Sequence, residues 1–381
     1  MKKILFVIFL SMLLISCKKE VTDLQSSYFT RFYGDPLDDI ASDVELTADG
    51  GYAFAATTQR SLPRVDTDVM LITTDKFGFQ NSETMYFGGL GNEKCNGLIV
   101  VSDGYVLTGT SNSGDADSIF LIKFGTDGLL NWRSSWEKAG QGNDIALIDN
   151  QIVICGYSLD PGNFDKQYPL LSFFDMQGSL TNLFPPKSDG YFTSILKRGT
   201  DVFGFGVLLG KTSNPDLFIA GDGSDIYDFP LSGNETSARI ISGRNGGFFI
   251  IGTTDPIGSG FSQIVVKKVD NQFAEDLTFN ANPIGLDADF RGVDIQEMED
   301  GSIAVLGDKT LSKDSDIVLY ILNPDGTTRS SKIYGKTGNQ SATALKLTLD
   351  GGLVILGNNQ QEKTNSMITL IKTDKEGNIW E

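Results

Sequence analysis

The chain has 381 residues, a formal net charge of −18 and no histidine. An acidic surface argues against nucleic acid and anionic lipid as partners, because both are bound by clustered cations. Without histidine, Ser-His-Asp triads, Cys-His pairs and His-ligated metal sites are excluded.

The first 16 residues carry two lysines and then a nearly unbroken apolar run. That run is shorter than the roughly 20 residues needed to span a bilayer, so it predicts a secretory signal. It ends in Leu14-Ile15-Ser16-Cys17, which resembles the lipobox of bacterial lipoproteins. The resemblance implies cleavage before Cys17 and acylation of its thiol. The alternative is an ordinary signal peptide with an incidental cysteine.

The lipobox implies a division of the chain into a signal peptide (1–16), a lipidated tether (17–27) and one folded domain (28–381). Each buried CH2 of an acyl chain contributes about 0.8 kcal/mol to membrane binding, so several chains on one cysteine anchor firmly. We therefore expect an outer-membrane lipoprotein of the cell envelope, periplasmic or surface-facing. The membrane would be contacted through the lipid alone.

The chain after the tether contains internal sequence repeats. A glycine precedes each predicted first strand, and the repeats step by about 45–54 residues, close to the roughly 40–50 of four-stranded propeller blades. Counting one unit for each glycine and one for a degraded turn near Asp189-Gly190 gives seven units. The glycines are Gly34, Gly88, Gly140, Gly233, Gly285 and Gly335.

Within a repeat, Asp-Gly or Asn-Gly turns separate short strands. At the C-terminal end, Asp350-Gly351-Gly352 precedes the strand Leu353 to Gly357. Asp-Gly and Asn-Gly accept positive φ at little cost, as tight hairpins require. The strands are apolar on both faces, which is typical of strands covered on both sides. No sustained 3.6-residue period follows residue 16, so helices are not expected.

The N-terminal end of the domain has an extra predicted strand, and the last repeat has an incomplete fourth strand. Tyr28 to Tyr33 aligns with the fourth strands of later repeats, and the chain ends just after Trp380, where a fourth strand begins. We therefore predict an all-β fold, a β-propeller of seven four-stranded blades. Its ring would be closed by the N-terminal strand pairing into the last blade, which leaves no long exposed edge. Six or eight blades remain alternatives.

The repeat unit resembles those of bacterial secreted and lipoprotein β-propellers. The shared pattern is an Asp/Asn-rich entry, Asp-Gly-Gly, an aromatic-aliphatic strand ending in Gly, and Asp-Gly before a tryptophan. It is also similar to kelch and quinoprotein-type repeats, and the resemblance implies a fold rather than an activity. Tryptophan occurs only at Trp132, Trp136 and Trp380, so most repeats depart from the quinoprotein pattern.

A binding site is expected where the connections from strand four to the next strand one meet on one face, beside variable loops. These connections recur with acidic and amide side chains. Because the same residue type returns in each repeat, a turn-capping role is the alternative to ligand binding. The candidate residues are Asp38, Asp39, Asn92, Asn143, Asp144, Asn234, Glu235, Asp287, Asp289 and Asn339.

These features favour a non-catalytic binding or scaffold module for envelope proteins. Glycan or small-ligand capture on the same loop face is the second hypothesis. A carboxylate-based or quinone-dependent enzyme is the third. No catalytic residue and no cofactor are predicted; no metal is assigned, although carboxylate oxygens suit Ca2+. Cys95 and Cys155 are expected to be core thiols rather than a disulfide.

Overall fold

The computed structural model describes residues 27–60, 66–112, 117–134, 136, 138–184, 188–209, 215–221, 226–229, 233–256, 260–335, 337–361 and 365–379. The predicted signal peptide, the acylation site at Cys17 and the tryptophan at 380 lie outside these ranges.

Twenty-seven β-strands run through the described residues, which contain no helix long and apolar enough to cross a membrane. Their order along the chain follows. The strands are β1 Phe29–Tyr33, β2 Asp39–Leu46, β3 Tyr52–Gln59, β4 Thr67–Thr74, β5 Met85–Phe87, β6 Asn92–Val101, β7 Gly104–Asn112, β8 Ser118–Gly125, β9 Leu130–Arg133, β10 Gly140–Ile148, β11 Gln151–Asp160, β12 Asn163–Phe174, β13 Leu180–Phe184, β14 Gly190–Arg198, β15 Asp201–Leu208, β16 Asp216–Gly221, β17 Ile226–Phe229, β18 Gly233–Ser242, β19 Phe248–Pro256, β20 Gln263–Val269, β21 Asp289–Glu297, β22 Ile303–Leu311, β23 Asp314–Leu322, β24 Thr328–Tyr334, β25 Asn339–Leu347, β26 Leu353–Gln360 and β27 Met367–Thr373.

Consecutive strands pair antiparallel into successive sheets. The first four sheets are β2–β5, β6–β9, β10–β13 and β14–β17, the fifth is β18–β20, and the sixth is β21–β24. The seventh comprises β25–β27 with β1 paired to β27. A single parallel bridge, Ser315 to Asn339, joins the sixth and seventh sheets. The first strand of each sheet contacts the first strand of the next, and β25 likewise contacts β2. This arrangement is a β-propeller.

The fifth sheet departs from the predicted four strands. After β20, the chain forms turns and two isolated bridges, Val269 to Glu275 and Ile264 to Ile284. Pro283 follows in this segment and has no N–H to donate to a ladder. A continuous fourth strand is therefore replaced by turns at this position.

The core lies between neighbouring sheets rather than at one centre. Every residue of β3 except the last is buried, because the sheets on both sides cover it. Phe54 of the first sheet, for example, belongs to the same cluster as Leu356 of the seventh. Cys95 and Cys155 are buried free thiols, and burial raises the pKa of Cys95 to about 12.

Every first strand carries a β-bulge at an equivalent position, where its register against the second strand shifts by one residue. A bulge bends its strand and re-aims the side chain beside it. In three sheets the residue just after the shift is an aspartate: Asp43, Asp144 and Asp294.

Candidate functional site

Most predicted site residues lie at the beginnings of the first strands, where one side chain faces outward and the next is buried. This alternation follows from the two-residue period of a strand. The outward positions are exposed, except for Asp38, which is half-buried. The pairs, outward residue first, are Asp38–Asp39, Asn92–Glu93, Asn234–Glu235, Asp289–Phe290 and Asn339–Gln340.

Three of the outward side chains also act as caps. Each accepts a hydrogen bond from a backbone N–H at the beginning of the third strand in the preceding sheet. Such bonds satisfy strand-end donors that would otherwise depend on water. The bonds are Thr67 N to Asn92 Oδ1 at 3.1 Å, Ser262 N to Asp289 Oδ1 at 3.0 Å, and Ser366 N to Asp38 Oδ1 at 2.8 Å.

The buried partners hold the turn that precedes them. The Asp39 carboxylate accepts from Asp35 N at 2.7 Å, and Glu93 accepts from Gly89 N at 3.2 Å, with the same four-residue spacing. Gly34 has φ +125°, and a Cβ there would lie 2.1 Å from Asp39 Oδ2. At this position the glycine is therefore required by the buried carboxylate beside it.

Two of these buried carboxyls are incompletely paired. Asp39 Oδ1 and Glu235 Oε2 have no hydrogen-bond partner among the described residues, although Glu235 Oε1 accepts from Thr254 Oγ1 at 3.2 Å. Burial raises the pKa of both carboxyls above the ordinary value. They consequently hold their protons to higher pH than exposed carboxyls do.

Asn143 and Asp144 lie deeper, at the bulge of β10, and both join the third sheet to the fourth. Asn143 Nδ2 donates to Phe192 O at 2.7 Å. The Asp144 carboxylate accepts from Ile145 N at 3.0 Å and from Ile195 N at 3.2 Å. Asp144 is buried, and burial raises its pKa. These two residues are thus inter-sheet contacts rather than part of the outward-facing set.

Sequence reasoning missed the two aspartates equivalent to Asp144. Asp43 accepts from Leu98 N in the next sheet at 3.1 Å, and Asp294 accepts from Leu345 N at 2.8 Å. Arg239, at the bulge of β18, places its Nε 3.0 Å from Asp294 Oδ1. The Asp294 carboxylate raises the pKa of Arg239. The available signal was an aspartate directly before an aliphatic residue in three of the first strands, as in Asp43-Val44.

A second missed set follows the alanine or glycine within four of the second strands. Its members accept a hydrogen bond from a first-strand N–H of the next sheet, so they also join neighbouring sheets. The bonds are Cys95 N to Thr57 Oγ1 at 3.1 Å, Gly292 N to Thr253 Oγ1 at 2.9 Å, Ala342 N to Asp308 Oδ1 at 2.6 Å and Ala41 N to Asn358 Oδ1 at 2.8 Å.

Asp287 is exposed and forms an ion pair with Lys309 at 2.6 Å, which lowers the pKa of the carboxyl. Two of the predicted variable loops are instead extended hairpins, β11–β12 and β22–β23. The other loops from strand two to strand three fall partly outside the described ranges. Within those ranges, no group of three or more Cys, Asp or Glu is placed to hold a metal ion.

No protein-family model matches the sequence, and no curated protein matches it significantly. Solved structures do resemble the fold. Puromycin hydrolase has a TM-score of 0.54 at 12% identity, covering 88% of this chain and 53% of its own. Acylaminoacyl peptidase from Pyrococcus horikoshii has a TM-score of 0.52 at 12% identity, covering 90% and 52%.

A third similar structure is the β-propeller domain of the Trilobed protease from Pyrococcus furiosus, described as having an open velcro topology. Its TM-score is 0.49 at 9% identity, and 89% of this chain and 98% of that chain are covered. The present chain spans about half the length of the puromycin hydrolase and acylaminoacyl peptidase chains. At these identities the likeness concerns architecture alone, and together with the strand pairing it makes the chain a β-propeller protein.

Proposed function

We propose that the seven sheets are the blades of one closed ring, sealed by β1. Five residue pairs join β1 to β27, from Phe29–Lys372 to Tyr33–Ile368. The same strand contacts the first sheet, because Tyr33 Oη donates to Gly78 O at 2.6 Å. The seventh and first sheets also share an ion pair, Lys346 to Glu45, at 2.5 Å.

Deleting residues 18–33 tests this closure. The deletion removes β1 and exposes the edge of β27, so we expect a sharp drop in the melting temperature. Deleting residues 18–26 alone is the matched control and should leave it unchanged. Equal melting temperatures for the two deletions would contradict closure by β1. Circular dichroism during heating provides the measurement.

We further propose that Cys17 is acylated and that the protein is an outer-membrane lipoprotein. The support is the lipobox-like sequence Leu14-Ile15-Ser16-Cys17 at the end of a short apolar run. The tether before β1 is short. The propeller would therefore stay close to the membrane surface, within reach of other envelope proteins.

The function we propose is a non-catalytic binding or scaffold module for envelope proteins. The observation that carries it is the division of roles at the loop face. Buried side chains such as Asp39 and Gln340 hold the connections from below, while the outward residues Asn234 and Asn339 face solvent. A rigid scaffold that presents polar side chains in fixed positions is suited to recognition.

Affinity capture of the tagged, lipidated protein from crosslinked native envelopes tests this function. We expect a defined set of envelope proteins with the native chain and none with Cys17→Ser, which would not be anchored. The double variant Asn234→Lys with Asn339→Lys adds two positive charges to the loop face and should reduce capture. Gln177→Lys with Gln272→Lys adds the same charge at strand-three to strand-four turns and should not.

Equal capture by both double variants would place the interaction elsewhere on the molecule. Absence of any specific protein would contradict the scaffold role. In that outcome, the loop face should be titrated with glycans and with Ca2+. A panel of substrates, with Asp38→Asn and Asp39→Asn as variants, would address the carboxylate-based enzyme hypothesis.

A further inference from the structure

A cavity lies between the sixth and seventh sheets, and Gln340, the buried neighbour of the loop-face residue Asn339, forms part of its wall. Its volume is about 520 Å³, within the roughly 300–1,000 Å³ of small-molecule sites. Its walls are mainly apolar and come from both sheets. The residues that the following argument uses are Phe32, Ile333, Ile371, Ile379, Gln340 and Thr369.

Two buried polar atoms without a partner belong to residues that line this cavity. Gln340 is 7% exposed and Thr369 is 4% exposed. Gln340 Oε1 and the Thr369 hydroxyl have no hydrogen-bond partner among the described residues. Buried polar groups are nearly always paired in native proteins, so two such atoms at one cavity require an explanation.

The orientation of the Gln340 amide is fixed by its neighbours. Its Nε2 donates to Thr337 O and to Asn359 Oδ1, both at 3.0 Å. Rotating the amide would break both bonds, so the oxygen remains the unpaired atom. The cavity therefore offers a fixed acceptor at Gln340 and a hydroxyl at Thr369, which can donate or accept.

Apolar side chains complete the site. Phe32 on β1 lies directly opposite Thr369 on β27, and Ile371 follows two residues later on the same face. Phe32 is 49% exposed and Ile333 is 58% exposed, so part of the wall is accessible from solvent. A flat ring can stack against Phe32 and pack between the isoleucines.

We propose that this cavity binds a compact ring-bearing alcohol, whose ring packs against Phe32, Ile333 and Ile379 and whose hydroxyl group pairs with one of the two unpaired atoms, Gln340 Oε1 or Thr369 Oγ1. The volume favours one small molecule over a strand. The amide oxygen requires a donor and the threonine hydroxyl can donate or accept, so an alcohol can pair with either. The inference does not rest on the loop-face function proposed above.

Fluorescence titration of the mature chain with 2-naphthol tests the proposal, with naphthalene as the matched probe that lacks the hydroxyl. We expect saturable binding of 2-naphthol and about tenfold weaker binding of naphthalene, since one polar interaction is lost. Thr369→Val keeps the shape of the side chain and Gln340→Leu nearly keeps its volume. The variant at the atom that the hydroxyl contacts should weaken 2-naphthol about tenfold. Phe32→Ala should weaken both probes.

Ser172→Ala is the control variant, because Ser172 also carries a buried unpartnered hydroxyl but does not line the cavity. It should bind 2-naphthol as the native chain does. Thr369→Val removes an unpaired hydroxyl, so the melting temperature of this variant should not fall. A loss of 2-naphthol binding by this variant can then be distinguished from a loss of folding. Three outcomes would each overturn the proposal. They are equal affinity for the two probes, native affinity for 2-naphthol in both Thr369→Val and Gln340→Leu, and no saturable binding.

Discussion

Both junctions bury apolar side chains, but hydrogen-bonded polar side chains also join the sixth and seventh sheets, whereas an aromatic cluster joins the fourth and fifth. At the first junction, the Asp308 carboxylate accepts from Ala342 N at 2.6 Å, and Arg291 donates to Ala342 O at 3.2 Å. Gln296 Nε2 donates to Leu345 O at 3.1 Å. Paired side chains at this junction thus satisfy backbone groups of the next first strand.

At the second junction, three rings gather around Phe273. The ring centroid of Phe273 lies 5.2 Å from that of Phe203, 4.8 Å from that of Tyr227 and 5.3 Å from that of Phe248. The Arg198 guanidinium lies 4.5 Å from the ring centroids of both Phe203 and Phe273. Aromatic packing and a cation–π contact dominate this junction. Two longer hydrogen bonds accompany them, Ile240 N to Ser194 Oγ at 3.4 Å and Arg198 Nη1 to Asn271 O at 3.2 Å.

The comparison shows that a repeat which has lost its sequence pattern need not have lost its packing. The fourth repeat has Arg198-Gly199-Thr200 in place of the Asp-Gly turn. Its junction with the fifth sheet nevertheless buries large side chains. Neighbouring sheets are therefore joined by hydrogen-bonded polar side chains at one junction and by an aromatic cluster at the other. Mutations can disrupt each kind of contact separately.

The largest effect is expected at the aromatic junction. Phe273→Ala should lower the free energy of unfolding by about 3–5 kcal/mol, because it empties the centre of the cluster. Leu277→Ala, at a side chain 84% exposed, should change it little. Urea denaturation measures both. A loss below about 1 kcal/mol for Phe273→Ala would mean that the rings do not hold this junction.

Asp294 joins two junctions, because it pairs with Arg239 of the fifth sheet and accepts from Leu345 N of the seventh. Asp294→Ala should cost about 3 kcal/mol, because it removes the carboxylate paired with the Arg239 charge. Arg239→Met combined with Asp294→Leu should recover much of the loss, since an apolar pair carries no unpaired charge. The same denaturation experiment applies. If the double variant is no more stable than Asp294→Ala, the ion pair is not the source of the loss.

A smaller effect is expected for Asp308→Ala, about 1–3 kcal/mol, because Ala342 N loses its acceptor. Asp308→Asn should cost less, since the amide oxygen can still accept. Hydrogen exchange at the Ala342 amide provides a local readout, and it should accelerate in the alanine variant. Unchanged exchange would contradict a role for this bond in joining the sheets.

The smallest effect concerns pH. Burial raises the pKa of Asp39 in the folded state, so the folded protein binds more protons than the unfolded one just above the unfolded value of about 3.9. The contribution of Asp39 to stability is therefore greatest at low pH and falls as pH rises through the raised pKa. Asp39→Asn should flatten this part of the stability curve. A native-minus-variant difference that increases with pH would contradict the shift.

Much of the local structure could be predicted from the sequence, because it depends on neighbouring residues. The Asp350-Gly351-Gly352 turn leads into β26 as expected. The glycine before each repeat was recognised as a marker, and at Gly34 the structure supplies its reason in the Asp39 carboxylate.

What could not be predicted depends on residues that meet only across sheets. Arg239 and Asp294 come from different repeats, and no local pattern indicates their pairing. The same applies to Asp308, whose partner Ala342 lies 34 residues later. The missing fourth strand of the fifth sheet likewise reflects the turns at Asn271-Gln272 and Leu277-Thr278, in a repeat that otherwise keeps its pattern.

The pairing of β1 with β27 sets an order of events during synthesis. Phe29 emerges early, yet its partner Lys372 is among the last residues to be added. At about 5–20 residues per second, the first strand waits roughly 20–70 seconds for its partner. Until then, the first strand and the unfinished last sheet both present open edges. The open strand edges of a nascent chain must therefore be kept from pairing with other chains during that interval.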